Sequence, residues 1–155
     1  MNWDAIGAIS DIVAAFAVVI SLVYLSFQIR AQSKETRAIA MHEIAAAFRG
    51  NLGKFSDESL ADLLFRGKKN MDVLDEKERF MLVSSSQQLL RVWEEAYIMN
   101  KNGRLDEDLW GPMTKQYASF MNFPPVIYTW SIRKEFYNDE FREYVDSCDF
   151  TEYKV

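Results

Sequence analysis

The sequence predicts an all-α protein with one N-terminal transmembrane helix, residues 1–30, that continues into a small cytoplasmic helical domain, residues 31–155. Three observations predict it. Residues 5–29, AIGAISDIVAAFAVVISLVYLSFQI, form an apolar run whose only charge is Asp11. Beyond the run, apolar residues recur at helical spacing between cap-like residues. No stretch alternates apolar and polar residues long enough to build a sheet. With 155 residues in all, the part outside the membrane is large enough for one small core.

The first element is the apolar run. Its 25 residues rise about 37 Å as a helix, against a hydrocarbon core of about 30 Å, so they span a bilayer with some tilt. A cleaved signal needs a basic start and a small-residue cleavage site. This chain starts Met1-Asn2-Trp3-Asp4, and its apolar run closes on bulky Tyr24, Leu25 and Phe27, which predicts an uncleaved anchor. Trp3 and Tyr24 are spaced about 31 Å apart on a helix, the separation of two headgroup belts. None of the 18 Lys and Arg residues precedes Arg30, whereas Arg30, Lys34 and Arg37 follow the run at once. The positive-inside rule then puts residues 30–155 in the cytoplasm and the N-terminus outside.

The two sides of the run differ. At about 100° per residue, Gly7, Ser10, Ala14, Ala17, Ser21 and Gln28 share a narrow stripe, with Asp11 at its edge, while Ile12, Val13, Phe16, Val19, Ile20, Val23 and Phe27 cover the opposite side. Small residues on one stripe let membrane helices approach closely, which predicts self-association or docking on another membrane protein; an ordinary anchor is the plainer alternative. Asp11 has two readings as well. It is buried in an interface or a pore, where a carboxylate costs about 2.5–3.5 kcal/mol on insertion scales, or it reaches outer-leaflet water.

The remaining elements follow in order. No glycine or proline separates Gly7 from Gly50, so the membrane helix is expected to run on into the cytoplasm. There Ala40, Met41, Ile44, Ala45, Phe48 and Leu52 share a face that packs on a core, and Gly50 and Gly53 are expected to end the helix. Ser56 is expected to cap the next helix, with Phe55 and Leu60 as a staple, burial through Leu60, Leu63, Leu64 and Phe65, and a stop at Gly67. Arg66, Lys68 and Lys69 then fall in an exposed loop, which is either simply solvated or able to touch anionic headgroups. Asp75 and Glu78 form a capping box for a central helix over about 76–101, closed by Gly103, with a stripe of Leu82, Val83, Ser86, Leu89, Leu90, Trp93, Ala96 and Tyr97. Asp106 caps a further helix, which Gly111-Pro112 is expected to break before a restart to about Met121. Pro125 can open a helix through Phe136. Asn138 and Asp139 cap a last helix to about Ser147.

Little of this carries chemistry. His42-Glu43 lacks the second histidine of a zinc-protease helix, and Cys148 is the only cysteine, so neither a zinc site nor an internal disulfide is expected. A lone cysteine suits a reducing compartment. Asn100 to Asp106 resembles the middle of a calcium loop, but Ile98 and Leu109 stand where that loop needs Asp and Glu, so it reads as a helix connection. Glu94 and Glu95 point about 100° apart on a helix and cannot share a site. Ser84-Ser85-Ser86 has no histidine partner or nucleophile elbow, and the six glycines form no phosphate cradle. The net charge of −5 and the lack of a basic tract argue against nucleic acid as a partner. The aromatic density from Trp110 to Tyr144 reads mostly as core, with a groove for an apolar ligand or partner as the alternative. No cofactor, metal or catalytic residue is expected, and the chain does not read as an enzyme.

Four segments carry a resemblance. W-x3-G-x3-D-x4-F-A-V-V-I-S-L-x-Y-L-x-x-Q-I-R at the start, R-V-W-E-E-A-Y at Arg91–Tyr97, G-R-L-D-E-D-L-W at Gly103–Trp110 and E-F-R-E-Y-V-D at Glu140–Asp146 resemble a family of bacterial single-pass inner-membrane proteins with no assigned activity. The resemblance implies a bacterial inner-membrane protein with one N-terminal span and a helical cytoplasmic domain, and no site residues. The expected partners are membrane lipids and either further copies of the chain or other membrane-protein subunits. The expected role is association without catalysis; a small homo-oligomeric channel or transport component, with the stripe lining a pore, is the alternative.

Overall fold

A computed structural model describes the backbone of residues 3–148 and 150, and side chains from Ile12 onward. Among the described residues six α-helices follow in order: α1 Trp3–Phe55, α2 Glu58–Lys69, α3 Glu76–Lys101, α4 Glu107–Phe120, α5 Pro124–Arg133 and α6 Asp139–Ser147. Short 3-10 turns cover Met71–Val73 and Lys134–Phe136. Among the described residues there is no strand. By contacts the chain divides into two units, residues 1–39 and residues 40–155.

In the first unit every described side chain from Ile12 to Ile39 is exposed. Burial begins in the second unit, where Ile44 is buried and Met41, Phe48, Leu52 and Phe55 pack on the core as their spacing requires. Gly50 and Gly53 do not end this helix, which continues to Phe55. Both glycines are exposed and a Cβ on either would touch nothing. Each weakens the helix by up to about 1 kcal/mol, and the packing of Phe48, Leu52 and Phe55 outweighs them.

Because α1 is longer, Ser56 falls in the turn, its N–H donating to the Gly53 carbonyl at 3.1 Å. The cap of α2 is therefore Asp57, whose Oδ1 accepts from the N–H of Ser59 at 3.0 Å and of Leu60 at 3.3 Å. Leu60 and Leu63 are buried as expected, but Phe65 is half exposed. Gly67 does not stop α2 either. It is buried, and a Cβ there would lie 3.0 Å from Leu82 Cδ1 and 3.2 Å from both Leu74 Cδ1 and Met71 Sδ. The glycine is a close-approach point for α3, so Gly67→Leu is expected to lower stability by about 1–3 kcal/mol in urea unfolding. An unchanged midpoint would show that this contact is loose.

The capping box of α3 forms in full: Glu78 N–H donates to Asp75 Oδ1 at 2.8 Å, and Asp75 N–H donates to Glu78 Oε2 at 3.0 Å. Past its end, Gly103 takes φ +64°, a left-handed conformation that favours glycine. Helix α4 then runs through Gly111-Pro112 without the expected break. Pro112 removes only the bond to the carbonyl of Asp108, an exposed residue near the helix start. Gly111 also lacks the Cβ that a proline ring would crowd in the residue before it. Helix α5 opens at Pro124, one residue before the expected start, and its last expected turn is 3-10 over Lys134–Phe136. Asn138 caps α6, its Oδ1 accepting from Glu140 N–H at 3.0 Å.

The core is aromatic and centred on α3. Trp93 is fully buried; its ring stacks on Tyr117 with centroids 5.4 Å apart and meets Phe141 edge-on at 5.5 Å. Its Nε1 donates to Thr114 Oγ1 at 3.1 Å, and Thr114 shares a 2.6 Å hydrogen bond with Tyr144. Of the aromatic residues from Trp110 to Tyr144, Trp110, Tyr117, Phe120, Phe123, Trp130, Tyr137 and Phe141 are buried, while Tyr128 and Phe136 are exposed. A smaller cluster of Leu60, Leu63, Leu74 and Leu82 joins α2 to the start of α3.

Candidate functional site: an exposed apolar helix

A side chain that stays apolar and exposed in its own chain needs another partner, because water is an unfavourable solvent for it. Between Ile12 and Ile29, twelve large apolar side chains of α1 are 50–67% exposed, from Leu25 at 50% to Ile20 at 67%. The segment is long and apolar enough to cross a membrane. An α-helix satisfies its own backbone hydrogen bonds, the condition for residence in hydrocarbon.

The side chains of Gly7, Ser10 and Asp11 lie outside the described residues. Ala14, Ala17, Ser21 and Gln28 are exposed on α1. Ser21 Oγ donates to the Ala17 carbonyl at 2.9 Å, and Gln28 Nε2 donates to Tyr24 Oη at 2.9 Å. Ser26 Oγ does the same to the Leu22 carbonyl at 2.9 Å. The two serine hydroxyls thus place their donors within the helix and can meet lipid or another helix without stranding them.

Arg30, Lys34 and Arg37 extend from the next turns of α1 and are exposed. The second basic group differs from expectation. Arg66, Lys68 and Lys69 form the last turn of α2 rather than a loop, where cations favour the helix C-terminus. Arg66 is committed to Glu78 by paired hydrogen bonds of 2.7 and 3.0 Å, which hold the Glu78 carboxyl below its ordinary value. Its guanidinium also lies 3.5 Å from Asp62. Lys68 sits over the Phe123 ring, 5.1 Å from its centroid, and Lys69 is exposed.

Within the domain, Glu94 and Glu95 separate as their spacing requires: Glu95 is exposed, while Glu94 is buried. Glu94 accepts from Asn138 N–H at 2.7 Å and from Arg91 at 2.7 Å. Arg91 in turn donates to the Phe136 carbonyl at 2.8 Å and covers the Tyr137 ring at 4.2 Å. This clamp ties α3 to the entry of α6. The fragment R-V-W-E-E-A-Y contains half of it, but its other half lies over 40 residues away and no local pattern signals it. Among the described residues no three His, Cys, Asp or Glu side chains come together as a metal site would need.

A groove of about 350 Å³ lies where α1, α2, α3 and the end of α4 meet, lined by Phe55, Leu64, Phe65, Leu89, Phe120 and Phe123 among others. Ser56 and Gln116 are its polar residues. The aromatic density of the sequence contributes Phe120 and Phe123, while Phe55 and Phe65 come from helices outside that stretch.

The buried phenols add a pH dependence. Burial raises Tyr137 and Tyr144 to about 12 and pushes Tyr117 up as well, from an ordinary value of 10.0. Above pH 10 the unfolded chain ionises these phenols while the folded domain resists, so stability present below 10 is lost as pH rises towards 12. Tyrosinate absorbance is expected to show these groups ionising only as near-ultraviolet circular dichroism is lost. All tyrosines ionising near 10 in a folded domain would contradict the burial.

Comparison of the chain with protein-family models, curated proteins and solved structures finds no match.

Proposed function

We propose that this chain is a membrane-anchored, non-enzymatic helical protein that acts by association, as a homo-oligomer or as a subunit of a larger membrane complex. The observation that carries the reading is the exposure of the twelve large apolar side chains between Ile12 and Ile29. In a bilayer Ile12, Phe16, Val19, Ile20, Val23 and Phe27 face lipid on one side of α1, and the small stripe of Ala14, Ala17 and Ser21 faces another helix. Hydrogen bonding of Ser21 to the Ala17 carbonyl inside the helix supports a dry interface over a water-filled pore. The basic residues Arg30, Lys34 and Arg37 after the apolar run support a domain on the cytoplasmic side of a bacterial inner membrane, with the N-terminus outside, by the positive-inside rule.

Cysteine scanning in a Cys148→Ser background tests the association. Ala14→Cys, Ala17→Cys and Ser21→Cys are expected to form disulfide-linked dimers in membranes, and Phe16→Cys and Val23→Cys are not. Native mass spectrometry of the detergent particle then distinguishes copies of one chain from a foreign subunit. A monomeric particle with no position-dependent cross-linking overturns the proposal.

A further inference from the structure

The groove over Leu89 holds more than a packing defect. At about 350 Å³ it falls at the lower end of the range for cavities that hold small molecules. Such a size suits one slender chain better than a two-chain lipid or a protein segment. Its walls are nearly all aliphatic or aromatic, and Phe65 beside it is half exposed, so an apolar occupant would remove a large ring from water. A cation stands beside one of the lining residues. Lys68 lies 5.1 Å from the centroid of the wall residue Phe123 and has no ion pair among the described residues, whereas its neighbour Arg66 is held by Asp62 and Glu78. Apolar walls with one ammonium beside them that has no carboxylate partner among the described residues match an apolar tail that ends in an anion.

We infer that this groove binds a single-chain anionic amphiphile, a fatty-acid carboxylate, with the acyl chain between Phe55, Phe65 and Phe120 and the carboxylate at Lys68. The site lies wholly within residues 40–155 and does not depend on what the stripe of α1 contacts. Ala61, which also lines the groove, offers a way to fill it: Ala61→Trp puts an indole where the chain would lie. Lys68 is exposed, so Lys68→Glu reverses the charge while leaving every side chain that lines the groove in place.

The full chain, transferred to an amphipathic polymer and stripped of lipid, is titrated with tritiated palmitate and, separately, with tritiated hexadecanol. Saturable binding of one palmitate per chain is expected. Ala61→Trp is expected to weaken both ligands at least tenfold. Lys68→Glu is expected to weaken palmitate about fivefold or more and leave hexadecanol unchanged, and it serves alone if Ala61→Trp fails to fold. Palmitate binding that is absent, unsaturable, or insensitive to Lys68→Glu overturns the proposal. So does a change of particle mass in Ala61→Trp without loss of palmitate binding, which would assign the groove to a contact between protein chains.

Discussion

Trp93→Ala is expected to destabilise the helical domain by about 3–5 kcal/mol, a large share of the stability of a domain this small. The indole is fully buried, stacks on Tyr117, and meets Phe141 and Tyr144 edge-on. Its removal leaves a cavity walled by rings that belong to α4 and α6 and cannot collapse onto one another. It also removes the Nε1 donor to Thr114, although Thr114 keeps its bond to Tyr144. Trp93→Phe retains most of the apolar volume and loses that one hydrogen bond, so a smaller loss is expected. Urea unfolding of the detergent-solubilised chain, followed by near-ultraviolet circular dichroism, measures both. A loss below about 1 kcal/mol for Trp93→Ala would show that Trp93 is not the centre of the core.

Ile20→Arg is expected to impair membrane insertion. Isoleucine near the middle of a span favours insertion by about 0.3–0.6 kcal/mol and arginine opposes it by about 2.5–3.5 kcal/mol, a combined change of roughly a hundredfold or more in the insertion equilibrium. Ile20 is 67% exposed and lies opposite the small-residue stripe, where lipid is the expected neighbour. The matching control is Ile39→Arg, since Ile39 is also exposed, at 52%, but lies beyond the apolar run and beside Arg37. Carbonate extraction of membranes expressing each variant is expected to release Ile20→Arg and retain Ile39→Arg. Equal retention of both would mean that residues 12–29 are not in hydrocarbon.

Helix identity was largely legible before the structure, because periodicity and caps are local signals. The Asp75–Glu78 capping box, the stripe of α3, the Gly103 turn and the Asn138 cap are all readable within a few residues, and all are present. Helix ends were less legible. Gly50, Gly53, Gly67 and Pro112 each lower helix propensity, yet each lies inside a helix, because the packing of neighbouring turns outweighs about 1 kcal/mol of glycine preference or one lost solvent-side bond. The Arg66–Glu78 pair and the Glu94 clamp were not legible at all, since each joins residues that only the tertiary fold brings together.

The apolar run, its length and its basic exit are properties of composition along the chain, and no packing can change them; they make the exposed helix evident from the sequence alone. Which side chains of the domain remain free was decided in three dimensions. Folding turned Arg66 from a candidate membrane contact into a partner of Glu78, buried Glu94 while leaving Glu95 in water, and assembled a groove from Phe55, Phe65, Phe120 and Phe123. The physical reason is that a cap or an apolar run acts over a few residues, whereas burial and charge pairing depend on neighbours that are distant in sequence.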